Sequence, residues 1–226
     1  MSKRELKPFE NVFISVAGLI GAGKSTLCTE LSKVMNGKAF YEPLEEENPY
    51  LELFYADIPK YSFPMQIALL TRRFAQHQHI IWSSSMKTGF YINDRSIYED
   101  SVFAKMLRDS GAMSELDYNT YCELFTQMSN FMRKPNVLVY LDVTPEESME
   151  RIRARSRDCE TGISLEYLQN LHKAYEEFIE DISFAIPVIR VRWDKFRDAS
   201  ETAKAIKDQY EQIANVRVAV FDQEEE

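Results

Sequence analysis

Cysteine is scarce in this chain, with three in 226 residues. Cys28, Cys122 and Cys159 are odd in number and too far apart for a disulfide framework or a short-spaced metal site, which points to a reducing compartment. No apolar run approaches the roughly 20 residues that span a bilayer. The stretch Met1-Ser-Lys-Arg-Glu-Leu-Lys-Pro8 holds no signal-peptide core and too little Arg and Ser for a transit peptide, so a cytoplasmic location is the expectation. Internal repeats are absent. Positive charge is also short: 27 Lys and Arg stand against 36 Asp and Glu, for a net charge of −9. That balance argues against a protein that tracks a nucleic acid polymer, where a basic face is expected. A small anionic ligand stays open, because a local cationic pocket can exist on an acidic protein. Hydrophobic residues at 45% and charged residues at 28% are ordinary for a globular domain, and the length suits one domain, residues 1–226, with an acidic tail at 222–226 expected to be solvated.

What is present is concentrated first in Gly18-Leu-Ile-Gly21-Ala-Gly23-Lys24-Ser25. This reads G-x-x-x-x-G-K-S, a phosphate-binding loop. Its context is right: Val12–Ala17 is apolar and β-rich, as a buried parallel strand is, and Leu27, Leu31, Val34 and Met35 form a helical stripe after it. Glycine lets the backbone N–H groups of the loop, from Gly18 through Ile20, Gly21, Ala22 and Gly23 to Thr26, turn inward around phosphate oxygens. The helix N-terminus adds partial positive charge. Lys24 is placed to neutralise the outer phosphates of a nucleoside triphosphate, and Ser25 to ligate Mg²⁺.

The rest of the chain alternates strand and helix. Strands are expected at 38–42, 90–93, 137–142 and 187–192, after the first. Helices are expected near 50–57, 65–84, 97–108, 115–132, 145–155, 164–184 and 201–214, with a turn bracketed by Pro59 and Pro64. This order predicts an α/β fold, a five-stranded parallel sheet flanked by helices, with ligands at the carboxyl ends of the strands.

Three polar groups fall at those ends. Glu42 closes the second strand, where a carboxylate can take a proton from an acceptor hydroxyl or simply cap and face solvent. Asp94 and Arg95 close the third, where the acid can hold Mg²⁺ and the Arg can stabilise a transferring phosphate; a buried ion pair is the alternative. Arg151-Ile-Arg153-Ala-Arg155-Ser-Arg157 carries four arginines in seven residues. It ends a predicted helix and runs into Asp158-Cys-Glu160-Thr-Gly162. Cations there fit an Arg-rich lid at about 151–162 that closes over phosphates, or a helix C-terminus enriched in Arg. Gln66, Arg73 and Gln76 lie near one face of the long helix.

Together these features resemble the deoxyribonucleoside kinases, the group that contains the deoxycytidine, deoxyguanosine and deoxyadenosine kinases. The resemblance covers nearly the whole chain and rests on Gly18–Ser25, Glu42-Pro43, Tyr55 and Gln66, Asp94-Arg95-Ser96, and Arg151–Glu160 followed by Gly162–Leu168. It implies a P-loop kinase fold and ATP–Mg²⁺-dependent phosphorylation of a deoxynucleoside 5′-hydroxyl. Glu42 would be the base, with Arg95 and Lys24 catalytic beside it and Asp94 near Mg²⁺. Tyr55 and Glu160 would hold the 3′-hydroxyl, Gln66 the base edge, and Phe103 would stack on the base. Arg151, Arg155 and Arg157 would form the lid, and the loop at Trp193, Asp194 and Phe196 would hold the donor adenine. Arg73 paired with Asp100, or with Glu99, resembles the deoxycytidine and purine enzymes. The strings Glu46–Tyr50, Met65-Gln-Ile and Asp117–Tyr121 are similar to bacterial-type purine enzymes, so deoxyadenosine is expected first and deoxyguanosine or deoxycytidine next. A nucleoside monophosphate kinase and a non-catalytic subunit with the same fold are the competing readings. A homodimer through the helices at 65–84 and 115–132 is implied by the resemblance; those helices can equally be core.

Overall fold

In the computed structural model, which describes residues 12–41, 48–86, 89–155, 162–193 and 198–214, five strands form one parallel sheet in the order β2-β3-β1-β4-β5. The strands are β1 (Val12–Gly18), β2 (Lys38–Phe40), β3 (Phe90–Asp94), β4 (Val137–Asp142) and β5 (Val188–Arg192). Every residue of β1 and β3 is buried, as expected of strands covered on both faces. β1 is central. Its Val16 is in register with Asp94 of β3, and its Gly18 with Leu141 of β4. The chain leaves β1 for partners on both sides, so a crevice opens at the carboxyl ends of β1, β3 and β4.

The helices are α1 (Lys24–Val34), α2 (Leu51–Ala56), α3 (Ile58–Met86), α4 (Asp100–Asp109), α5 (Glu115–Ser129), α6 (Pro145–Arg155), α7 (Leu165–Ser183) and α8 (Ala199–Ala214). α1 packs on β3 and α8, α4 on α3, α5 and α7, and α6 on α7. Leu27 and Leu31 of α1 are fully buried, each stabilising the fold by about 2 kcal/mol through area removed from water. α7 buries Leu168, Leu171, Tyr175 and Ile179 along one stripe. It starts where expected, because the Ser164 side chain accepts the Tyr167 N–H at 3.1 Å, a cap that contributes about 1 kcal/mol.

One expected element is corrected. Pro59 and Pro64 do not bracket a turn; both lie within α3, which begins at Ile58. Asp57 explains the early start. Its carboxylate accepts the Lys60 N–H at 3.2 Å and its carbonyl accepts the Tyr61 N–H at 3.1 Å. Pro59 thus falls in the first turn, where a missing N–H costs nothing. Pro64 removes one interior bond, which the packing of α3 on α2, α4 and α5 outweighs. Two smaller shifts follow: β2 ends at Phe40 rather than at position 42, and the helix expected from 97 begins at Asp100. Among the described residues no helix is long and apolar enough to cross a membrane.

Candidate active site

The loop after β1 is built on left-handed glycines, with φ of 78° at Gly21 and 93° at Gly23, the residue that caps α1. A Cβ on Gly21 would lie 2.8 Å from Ile152 Cγ1 and 3.0 Å from the Ser148 carbonyl. The loop is therefore pressed against α6, and glycine is needed there for both backbone angle and space. The Ser148 hydroxyl donates to the Ile20 carbonyl, and Arg151 Nη1 donates to the Ala22 carbonyl at 3.0 Å. Arg151 Nη2 also reaches the Trp193 carbonyl at 2.6 Å, so one arginine ties α6 to the loop and to the end of β5. Lys24 is buried and donates to the Gly18 and Leu19 carbonyls, both at 2.8 Å. Its charge is held at the floor of the loop.

A cleft of about 880 Å³ opens in front of it. Ile20, Gly21, Gly23, Lys24, Ser25 and Thr26 form one end. Asp94 and Arg95 follow from β3, and Arg151 and Arg155 from α6. The other end is Tyr55, Met65, Gln66, Arg73 and Phe103. Six cations line this cleft (Lys24, Arg72, Arg73, Arg95, Arg151 and Arg155) against one carboxylate, Asp94, among the described residues. In a chain of net charge −9 that local reversal marks a site for an anion.

The Ser25 hydroxyl donates to Asp94 Oδ2 at 2.5 Å. Two hard oxygen donors side by side, next to the phosphate loop, fit Mg²⁺. The same carboxylate acts on Cys28 of α1: burial pushes that thiol well above its ordinary pKa, with the Asp94 charge adding to the effect, so Cys28 is an inert core residue. Arg95 adopts φ 73°, rare for a residue with a Cβ. The conformation is stabilised by its N–H bond to the Val16 carbonyl at 3.0 Å. Strain of this kind collects at functional sites.

At the far end, Arg73 is paired with Asp100, both buried. Asp100, not Glu99, is therefore the partner of Arg73. Tyr121 of α5 steadies the pair, donating to Asp100 Oδ2 at 3.2 Å. The Phe103 ring lies beneath two guanidinium groups, Arg95 at 5.0 Å and Arg73 at 6.0 Å. Gln66 is 2% exposed and its Oε1 has no hydrogen-bond partner among the described residues. A buried amide oxygen left unsatisfied at a cleft wall is costly without a ligand. Gln76, by contrast, donates to Asn93 of β3 at 2.7 Å.

Of the residues singled out from sequence, Gly18 and Ala22 stand behind the loop rather than at the cleft, and Asp100 acts through Arg73. Glu42, Arg157, Glu160, Asp194 and Phe196 lie outside the described residues. Sequence reasoning missed Tyr41, Asn48, Leu51, Phe54, Leu69 and Tyr167, which also line the cleft. Only Asn48 carried a local signal, as the polar residue before Pro49; its amide donates to Met65 Sδ at 3.3 Å. A second polar cluster, Asp142, His172 and Glu176, has ligand atoms within 4.8 Å of one another. Its cation is already there: Arg190 lies 2.7 Å from Glu176 and 3.6 Å from Asp142.

The deoxynucleoside kinase family model matches residues 14–215. This chain belongs to the deoxynucleoside kinase family. It is 53% identical over 207 residues to a deoxyadenosine kinase of Dictyostelium discoideum, covering 92% of this chain and 82% of the relative. It is 39% identical to the deoxyadenosine/deoxycytidine kinase of Bacillus subtilis, covering 92% and 94%. The solved deoxyadenosine kinase of M. mycoides with bound dATP superposes with a TM-score of 0.76 at 32% identity, over 88% of this chain and 100% of that one. A second structure of that enzyme, with dCMP and dCDP bound, gives 0.74 at 33% identity, over 89% and 100%. The kinase fold and the phosphate-loop cleft described above are thus those of an enzyme, a deoxynucleoside kinase.

Proposed function

We propose that this kinase transfers the γ-phosphoryl group of ATP to the 5′-hydroxyl of a purine deoxynucleoside, deoxyadenosine first. The observation that carries the reading is the unsatisfied Gln66 carboxamide oxygen beside the buried Arg73–Asp100 pair, in one cleft with the phosphate loop. An amide presents a donor and an acceptor side by side, which matches the amino group and ring nitrogen of adenine. Phe103 offers the base a flat face, Met65 and Phe54 an apolar wall, and Tyr55 with Glu160 the partners for the 3′-hydroxyl. The 53% identical deoxyadenosine kinase supports the same choice.

The phosphates of ATP sit on the N–H groups that face the cleft, those of Gly21, Gly23, Ser25 and Thr26, with Lys24, Arg151, Arg155 and Arg157 neutralising them as charge develops. Asp194 and Phe196 follow Trp193, which Arg151 ties to α6, and they hold the donor adenine. Ser25 and Asp94 would hold Mg²⁺, which would supply positive charge to the phosphates of ATP. Glu42 follows Tyr41, a cleft residue, and acts as the base. It takes the 5′-hydroxyl proton as the oxygen bonds to the γ-phosphorus and ADP departs. Arg95 stabilises the transferring group. Little covalent chemistry is asked of the protein; positioning and charge do most of the work. The enzyme acts in the cytoplasm as a homodimer joined through α3 and α5.

Turnover of deoxyadenosine, deoxyguanosine, deoxycytidine and thymidine, measured side by side in the wild type and in Gln66→Leu, tests the base reading. The expected order places deoxyadenosine first and thymidine last, with kcat/KM for deoxyadenosine at least about tenfold lower in the variant. Equal turnover of thymidine, or an unaffected variant, contradicts it.

A further inference from the structure

Two adjacent carboxylates open α4, and each faces a different arginine of the cleft. Asp100 takes Arg73. Glu99 lies beside Arg95, with Oε1 3.8 Å from Nε. Glu99 is completely buried and does not itself line the cleft. Its Oε1 accepts a hydrogen bond from the Tyr175 hydroxyl of α7, while its Oε2 has no hydrogen-bond partner among the described residues. A carboxylate placed like this is expensive in an apolar interior, where an apolar side chain would pack at lower cost. Its surroundings are rigid. The Tyr175 ring stacks on Tyr140 of β4 at 5.8 Å and meets Phe103 edge-on at 6.3 Å. The Arg95 backbone is likewise fixed, by its left-handed conformation and its bond to Val16. The long Arg95 side chain reaches from the strand end into the cleft. Glu99 supplies the opposite charge that aims it, and the guanidinium rests over Phe103.

We propose that Glu99 is a positioning residue for Arg95: its carboxylate, held by the Tyr175 hydroxyl, fixes the guanidinium where the phosphoryl group is transferred. This rests on the kinase reading of the cleft and on Arg95 acting at the reacting groups. Side by side where α4 begins, with Glu99 at its cap and Asp100 its first residue, one acid serves the base-reading arginine and the other the phosphoryl-facing arginine. A misaimed guanidinium leaves substrate binding nearly intact and removes transition-state stabilisation.

The test is a double-mutant cycle on the full chain, with ATP and deoxyadenosine as substrates and thermal unfolding of each variant as a control. The variants are Arg95→Ala, Glu99→Gln, Tyr175→Phe and the doubles of each of the last two with Arg95→Ala. Folded Glu99→Gln is expected to lose about 10- to 100-fold in kcat with KM changed less than about threefold. In the Arg95→Ala background, Glu99→Gln should change nothing further. Tyr175→Phe should lower kcat in the same sense by about threefold or more, and also lose its effect without Arg95. An unchanged kcat in folded Glu99→Gln, or a full-size effect in the Arg95→Ala background, overturns the proposal. If Glu99→Gln does not fold, Tyr175→Phe decides by the same two criteria. Wild-type turnover in Arg95→Ala would sink the role of Arg95 itself, and with it the positioning by Glu99. A damaged Arg95→Ala with an unaffected Glu99→Gln sinks Glu99 alone.

Discussion

Glu42→Gln removes the proposed base and keeps the shape of the side chain. Turnover is expected to fall by about a hundredfold or more while deoxyadenosine still binds; calorimetry beside a kinase assay separates the two, and unchanged turnover would remove Glu42 from the mechanism. His77 gives a pH prediction away from the cleft. It is buried against Phe13 and Tyr98, its Nε2–H donates to the Arg133 carbonyl at 2.9 Å, and its Nδ1 has no partner among the described residues. Burial lowers its pKa from the ordinary 6.5, against the opposing effect of the Arg133 bond. The unfolded chain therefore takes up a proton more readily. The contribution of His77 to stability is complete above pH 6.5 and declines as pH falls from there through the folded pKa. Urea midpoints from pH 8 to 5 should fall more steeply for the wild type than for His77→Gln; parallel curves would contradict this. At this scale the sequence was most legible where a role is local. The phosphate loop needs its glycines, Lys24 and Ser25 in a fixed order. Whether Asp100 or Glu99 meets Arg73 depends on which way α4 turns its first residues, and neighbouring acids look alike in sequence.

The loop from Gly18 to Lys24 and helix α6 behave as one piece, because Ser148 and Arg151 bind loop carbonyls and Ile152 crowds Gly21. Gly21→Ala places a Cβ at φ 78° and against Ile152 and Ser148. Its expected cost is about 2 kcal/mol of stability, with weaker ATP binding as α6 is pushed off the loop. Denaturant unfolding and ATP titration check both; a variant equal to the wild type would show that loop and helix are not in contact. Strands β1 and β4 were readable from apolar runs, and α7 from its Ser164 cap. α3 was not, because Pro59 and Pro64 read as breakers when taken without the Asp57 cap that starts the helix before them. The arginine run was readable as cations at the end of α6, but not that Arg151 would bridge Ala22 and Trp193, a contact between segments distant in sequence.

Across the whole molecule, an acidic chain gathers six cations at one cleft, as an enzyme for anionic substrates requires. Among the exposed large apolar side chains are Trp82 of α3 at 70%, Leu116 of α5 at 77% and Phe131, just after α5, at 76%. A dimer joined through these helices should sediment at twice the 26.4 kDa chain mass; a single-chain mass at micromolar concentration would contradict the homodimer. The alternation of strand and helix announced the parallel sheet, since that order has few other solutions. The cleft wall from Tyr41, Asn48 and Tyr167 was not announced, because it forms only when three distant segments meet. In the proposed reaction this cleft passes a phosphoryl group from ATP to an uncharged deoxynucleoside. The direct measurement supplies ATP labelled at the γ-phosphate with either deoxyadenosine or dAMP as acceptor and follows the label. Labelled dAMP from deoxyadenosine, with no labelled dADP from dAMP, is the expected result. Label transferred to dAMP alone would mean that the acceptor pocket of Gln66, Arg73 and Phe103 has been misread.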